Sequence, residues 1–304
     1  MSMEAVALDW LEDVRKTWKQ STYNTEKKRI IKDIIKPLGR MRIDEIKPAD
    51  IRTLFQQLEA EGKYDTLRKI AENTVRIFNF GIAVGKCDNN PAYSIWKGLS
   101  FKRPAPNRGF ATITSPDKVG KLLLAIETTM SEKCGLKVST ALRMAPYVFL
   151  RPDSLVWGEW TEIDFAEKVW RIPAKRMKMR LDHMVPLSAQ ALEILQQLHE
   201  LTGEGRLMFP GLRSPKNPIS DATFIAALRR MGYDKDEMTA HGFRAMASTL
   251  LNEQGYSADV IEKQLAHNPR DKIRGVYNRA EYLPERRKMM QEWADYLTRL
   301  REEQ

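Results

Sequence analysis

Cysteine and histidine are scarce in this 304-residue chain, which has two of the first and four of the second. Cys87 and Cys134 stand far apart without CxxC spacing, which argues against a disulfide framework or a structural zinc site and leaves two ordinary reduced thiols. Long apolar runs are missing as well: no stretch approaches the roughly 20 residues that a transmembrane helix needs. The N-terminus, MSMEAVALDWLEDVRK, carries Glu4, Asp9, Glu12 and Asp13 where a secretory leader would be basic and then apolar. A cytoplasmic protein is expected. There is no internal repeat, no low-complexity tract and no carboxylate cluster of the kind that holds magnesium.

What the chain does have is basic charge. Fifty Lys and Arg against forty Asp and Glu give a net charge of +10, with a pI near 9.5. In a soluble chain this raises the expectation of a polyanionic partner, nucleic acid first. With 42% hydrophobic residues and a mean hydropathy of −0.48, the chain can bury cores in water, and its length suits two domains.

The first hundred residues read as helices. Ala7, Trp10, Leu11, Val14 and Trp18 share one face, as do Ile51, Leu54, Phe55 and Leu58, and then Leu67, Ile70, Ala71, Val75, Phe78 and Ile82. Pro48 and Asp50 suit a helix start, and Asn90-Pro91 is read as closing the bundle. Residues 98–116, GLSFKRPAPNRGFATITSP, break the periodicity with prolines, glycines and Lys102, Arg103 and Arg108, the composition of an extended basic linker. Beyond it, Val119, Leu122, Leu123 and Ile126 begin a helix, and a second covers the approach to Leu150. KVWRIPA and HMVPLS are β-compatible runs separated by AKRMKMRLD, a small sheet with a basic hairpin. Helices resume at Leu192 and continue to the end. The resulting fold class is mainly α with a small antiparallel β-sheet.

The most informative segment is TAHGFRAMASTLLNEQG. Phe243, Met246, Ala247 and Leu250 form a stripe at helical spacing, while His241 and Arg244, three apart, share another face and can point at one object. An imidazole beside a guanidinium suits a phosphodiester: arginine binds the oxygens bidentately and histidine moves a proton near neutral pH. HxxR alone would more often be a surface pair. His267 follows in QLAHNPRDKIRGVY, ten residues before Tyr277, while Arg151 ends an apolar helix and Lys178 lies in the hairpin.

Arg151, Lys178, His241, Arg244, His267 and Tyr277, in that order, resemble the catalytic set of the tyrosine recombinases, or phage integrases. The surrounding RPDSLVWGEWTEIDF, IPAKRMKMRLDHMVPLS and LAHNPRDKIRGVYNRAEYLPERRKMMQEWADYL resemble most closely the integrases of prophages and genomic islands. IKDIIKPLGR and GKCDNNPA resemble the same family's core-binding domain more loosely. The resemblance implies a helical core-binding (SAM-like) domain over 1–103, a basic linker over 104–114, and an α+β tyrosine recombinase catalytic domain over 115–304.

It also implies a chemistry. Tyr277 would attack a phosphodiester and form a 3′-phosphotyrosine link, Arg151 and Arg244 would clamp the phosphate, His241 would assist proton transfer, Lys178 would protonate the leaving 5′-hydroxyl, and His267 would add a hydrogen bond. No ATP, metal or other cofactor is expected. The implied partners are double-stranded DNA attachment sites, a homotetramer on two duplexes, and host DNA-bending or excisionase factors; no membrane is involved.

The chain departs from the family pattern at Ser154, where an acidic residue often stands three places beyond the first arginine. Lys178 is preferred to Lys175 by counting back seven residues from Val185, and Tyr277 to Tyr282 by its place after the short basic helix. Relatives often carry a further N-terminal arm-binding domain, whereas this chain begins at the first core-binding helix, as a short member or a fragment. Two rival functions are a recombinase-fold DNA-binding protein without strand exchange and a type IB topoisomerase-like relaxing enzyme. His183 and His199 read as structural and surface residues, and Gly81-x-x-x-Gly85-Lys86 is one residue short of a phosphate loop. Met289, Trp293, Tyr296 and Leu297 give the C-terminal helix an apolar face for a neighbour or for its own core.

Overall fold

The computed structural model describes residues 1–102, 109–133, 135–177, 180–211, 214–267 and 281–304. The chain divides into two compact units, Met1–Arg108 and Gly109–Gln304. Among the described residues no helix is long and apolar enough to cross a membrane.

The first unit is helical. α1 (Met3–Arg15) starts where Ser2 Oγ accepts the Ala5 N–H, and buries Met3, Val6, Ala7, Trp10 and Leu11. Trp18 lies beyond its end and meets Trp10 edge-on at 5.6 Å. α2 (Gln20–Ile30) runs through a π-helical turn at Ile31–Ile35 into α3 (Lys36–Leu38). Pro37 has no N–H for the Asp33 carbonyl and would crowd it, which the wider turn relieves. α4 (Pro48–Ala60) has Pro48 in its first turn, and Asp50 Oδ2 accepts the Lys47 N–H at 2.8 Å. All four apolar residues expected to face inward on it are buried.

α5 (Tyr64–Ala83) departs from the expected stripe. Ile82 is 40% exposed, and Ile77 and Gly81 are buried instead. Hydropathy hides this face, because Thr74 and Gly81 carry it between the apolar residues. A Cβ on Gly81 would stand 3.0 Å from Cys87 Sγ and 3.1 Å from Ile43, so the glycine is a packing residue and not part of a phosphate loop. Asn90-Pro91 does not close the bundle either. Asn90 accepts the Tyr93 N–H and starts α6 (Pro91–Gly98), which brings Trp96 against Phe55.

The second unit surrounds a separate core. α7 (Pro116–Lys133) and α8 (Leu136–Val148) pack on each other, and α9 (Pro152–Val156) follows a sharp break at Phe149–Arg151. Arg151 therefore caps the start of α9 rather than ending α8. β1 (Ile163–Asp164), β2 (Val169–Ile172) and β3 (His183–Pro186) form an antiparallel sheet in the order β1-β2-β3, with Trp170 opposite Val185 and Ile172 opposite His183. α10 (Ala189–Thr202), α11 (Asp221–Arg230), α12 (Gly242–Glu253), α13 (Ala258–Gln264) and α14 (Leu283–Glu302) complete the unit.

α14 is committed to its own core. Met289, Met290, Trp293, Ala294, Leu297 and Leu300 are buried, and Trp293 donates Nε1–H to the Pro146 carbonyl at 2.9 Å. Fully burying such side chains stabilises by about 1.5–3 kcal/mol each, so the apolar face expected to meet either a neighbour or the chain itself is occupied internally.

Candidate functional site

The site is assembled where α12 and α13 meet the break before α9. α13 ends in a left-handed residue, Ala266, at φ 48°. Its N–H bonds to the Lys263 carbonyl at 3.1 Å, and the next N–H, that of His267, returns to Glu262 at 3.1 Å. This is the Schellman closure of a helix, in which glycine normally takes the left-handed position. Here alanine takes it, at a backbone cost of about 1 kcal/mol. The break after α8 is also left-handed, at Phe149 with φ 33°.

These turns aim carbonyls at two arginines. Arg244, one turn into α12 and nearly buried, donates Nη1–H to Phe149 O at 2.8 Å and Nη2–H to Leu265 O at 2.7 Å. Its Nη2 also reaches His267 Nε2 at 3.0 Å. Arg151 places both terminal nitrogens 3.4 Å from Ala266 O. Among the described residues neither arginine forms an ion pair with a carboxylate. Burial, and then the neighbouring Arg151, push the Arg244 guanidinium down to about 9, so it remains cationic at neutral pH. Burial lowers Arg151 as well. Two partly desolvated cations, held among the described residues by neutral acceptors, form a site prepared for an anion.

His267 is held from both sides. Glu262 Oε2 lies 2.7 Å from Nδ1, while Arg244 occupies Nε2. Because arginine only donates, Nε2 must accept, and the ring proton sits on Nδ1 toward Glu262. Burial lowers the His267 pKa; Glu262 opposes that shift, and Arg244 and Arg151 add to it. His241 occupies the N-cap of α12, one turn before Arg244, and stacks on Phe110 at 4.4 Å with 19° between the rings. The segment before α7 is fastened there: Thr112 Oγ1 donates to Gly242 O at 2.7 Å, and Ala111 O accepts from the Thr239 N–H and Oγ1–H at 3.2 Å each.

The structure thus gathers Arg151, Arg244 and His267 around the end of α13 and sets His241 on the helix that carries Arg244. Lys178 and Tyr277 lie outside the described residues. Lys175 is exposed, and Tyr282 is half-buried against the core. His183 is buried, with Nε2 3.1 Å from Gln264 O, and burial pushes its pKa down to about 3, which fits the structural role expected of it. His199 is exposed and meets Trp160 and Phe165 edge-on. Ser154 is buried, and its carbonyl accepts from Arg176, which also pairs with Glu162. Among the described residues no group of His, Cys, Asp and Glu could hold a metal ion.

Several contributors escaped sequence reasoning. Glu262 stands five residues before His267, a separation that brings side chains together only through the left-handed turn at Ala266. Phe110 lies in a stretch read as linker. Arg286 is fully buried on α14; its Nε and Nη2 donate to Gln264 Oε1 at 3.0 and 2.7 Å, it reaches Met184 O as well, and it thereby pins α13 to β3 just before the site. Burial pushes Arg286 down to about 10. An arginine among i, i+3 and i+4 apolar neighbours was the available signal.

Comparison with known proteins bears on the same residues. Residues 113–283 match the model of the phage integrase family, and residues 3–98 match that of the phage integrase central domain. The integrase of Enterobacteria phage P4 is 32% identical over 311 residues, covering 97% of this chain and 69% of its own length. Prophage integrase IntA of Escherichia coli K12 is 36% identical over 267 residues, covering 87% of this chain; the chain spans 62% of the IntA length. Among solved structures, a lambda integrase tetramer bound to a Holliday junction superposes with a TM-score of 0.70 at 18% identity, covering 90% of this chain and 79% of that one.

Proposed function

Because this chain belongs to the phage integrase family of tyrosine recombinases, we propose that it cleaves and rejoins DNA at attachment sites of a prophage or genomic island, with Tyr277 as nucleophile. The observation that carries this reading is the pair Arg151 and Arg244, two partly buried guanidiniums bonded to carbonyls and unpaired with any described carboxylate. A scissile phosphate supplies the missing negative charge.

The chemistry follows from the groups. A free phenol has a pKa near 10, so only about one in a thousand is ionised at neutral pH. Arg151 and Arg244 stabilise the charge that grows on the non-bridging oxygens as phosphorus becomes pentacoordinate. His241, held against Phe110, takes part in moving the phenol proton, and Lys178 donates a proton to the departing 5′-hydroxyl. The Tyr277 oxygen then holds the 3′-phosphate while the bond to the 5′-oxygen is broken, and a 5′-hydroxyl of a partner strand reverses the step. The phosphodiester energy is kept in the phosphotyrosine, so the exchange needs no ATP.

Residues 1–103 are assigned DNA binding, 104–114 a basic connection that tracks phosphates, and 115–304 the chemistry. A homotetramer on two duplexes is the working assembly, as the lambda integrase tetramer on its junction suggests. Host DNA-bending or excisionase factors are further candidate partners.

The test is direct. Purified protein is incubated in EDTA without nucleotide with nicked DNA from the junctions of the host element, and an SDS-resistant adduct is mapped to a peptide. Attachment at Tyr277, lost in Tyr277→Phe with DNA binding retained, is the expected result. Binding without any adduct, or an adduct that survives Tyr277→Phe, overturns the assignment.

A further inference from the structure

His267 presents a chemical difficulty. To bond a phosphate oxygen it must donate from Nε2, yet that nitrogen accepts from Arg244 Nη2 at 3.0 Å, and the ring's proton is held at Nδ1 by Glu262 at 2.7 Å. A neutral ring in this arrangement has nothing to give a phosphate. Flipping the tautomer would leave two lone pairs facing each other across the 2.7 Å contact with the Glu262 carboxylate. Protonating both nitrogens resolves the conflict, provided that a carboxylate balances the imidazolium and that Arg244 Nη2 turns away from Nε2.

We propose that Glu262 is the positioning residue of His267: it holds the Nδ1 proton in the free protein and makes the ring an imidazolium donor when a DNA phosphate draws Arg244 Nη2 away. This rests on the phosphoryl-transfer reading above. The second proton comes from solvent and forms an Nε2–H bond that points at the phosphate oxygen; no other covalent bond forms or breaks. The charged groups facing the ring among the described residues are Glu262 from α13, Arg244 from α12 and Arg151 from the break before α9. In the free protein the two arginines oppose a second proton. A bound phosphate offsets their charge and leaves Glu262 as the ring's own counter-ion.

The local backbone explains why the pair meets. The bond from the His267 N–H to Glu262 O folds the turn back on its helix and sets the two side chains face to face. Both are partly open, each with 39% of its side chain exposed, so the pair can meet a phosphate without unfolding.

The experiment compares single-turnover cleavage by wild type and Glu262→Gln across pH. Glutamine keeps an acceptor for the Nδ1 proton and removes the charge. Wild-type cleavage should fall as pH rises through the ring's DNA-bound titration. Glu262→Gln should cleave near the wild-type rate at the acid end and about tenfold more slowly toward pH 8, its titration moved down by about one unit. Superimposable profiles would overturn the inference.

A second measurement does not depend on cleavage. In the DNA complex of Tyr277→Phe, NMR titration of the His267 ring should show protonation at higher pH with Glu262 than after Glu262→Gln, and equal titrations would reject the role of Glu262. Absence of any wild-type adduct would instead bring down the tyrosine reading, while the ring titration still decides whether Glu262 charges His267.

Discussion

Arg244→Lys separates the two tasks of this arginine. The native guanidinium spans Phe149 O at 2.8 Å, Leu265 O at 2.7 Å and His267 Nε2 at 3.0 Å. In the free protein that uses three of the five N–H groups an arginine possesses; the other two, with the Nη2–H released from His267, serve a phosphate. A lysine keeps the charge, but its donors radiate from one nitrogen and cannot bridge two carbonyls while also meeting an oxyanion. Loss of one aligned donor to the growing charge costs about 3–4 kcal/mol, or about a hundred- to a thousandfold in cleavage rate. One buried carbonyl left without a partner costs a further about 1–3 kcal/mol of stability, a fall in Tm of several degrees. DNA affinity should change far less, because one phosphate contact among many is altered. Single-turnover adduct formation, measured well below the Tm alongside binding at the same salt, reads the two effects apart. Cleavage within about threefold of wild type would refute the reasoning, and a parallel fall in binding and cleavage would show that Arg244 grips the ground state instead of the transition state.

Phe110→Ala removes the ring stacked on His241 at 4.4 Å; such a contact is worth about 0.5–1.5 kcal/mol, so cleavage should fall about two- to tenfold with DNA binding intact, and an unchanged rate would mean that His241 is oriented by other contacts. Phe110 is 54% exposed, so stability should hardly move. His183 titrates near 6.5 when unfolded and is pushed down to about 3 by burial. Its contribution to stability is therefore full above pH 6.5 and is lost as pH falls toward 3, because only the unfolded ring takes up the proton there. His183→Gln should flatten that acid limb in urea unfolding followed against pH, and identical limbs would contradict the assignment.

Much of the architecture was legible because it is periodic. The stripes of α4 and α12 repeat at helical spacing and are buried as that spacing requires, and of the first stripe Ala7, Trp10 and Leu11 are buried while Val14 and Trp18 are half-buried. The sheet was legible from KVWRIPA and HMVPLS, whose Val169, Trp170, Ile172 and Val185 are buried. Errors arose where the buried face carries residues that hydropathy does not count. Thr74 and Gly81 turn α5 so that Ile82 faces water, and Asn90 caps a further helix where it was read as an end.

The site divides along the same line. The family resemblance in residue order put forward Arg151, His241, Arg244 and His267 as candidates, and the fold brings Arg151, Arg244 and His267 together at the end of α13. What they touch is absent from the sequence pattern. Arg244 takes its carbonyl acceptors from Phe149, 95 positions before it, and Leu265, 21 positions after it. Both follow from left-handed turns at non-glycine residues, Phe149 and Ala266, that no turn signal announces. The face of α14 was equally undecided in one dimension, until Trp293 found the Pro146 carbonyl 147 residues away. Local chemistry and periodicity are properties of neighbours in the chain, and so the sequence alone determines which segments coil, which residues face inward and which groups can carry charge to a phosphate. Hydrogen-bond partners and desolvation depend on segments brought together by packing, and only the tertiary structure decides that two arginines bond the carbonyls of Phe149, Leu265 and Ala266 and that Glu262 stands beside His267.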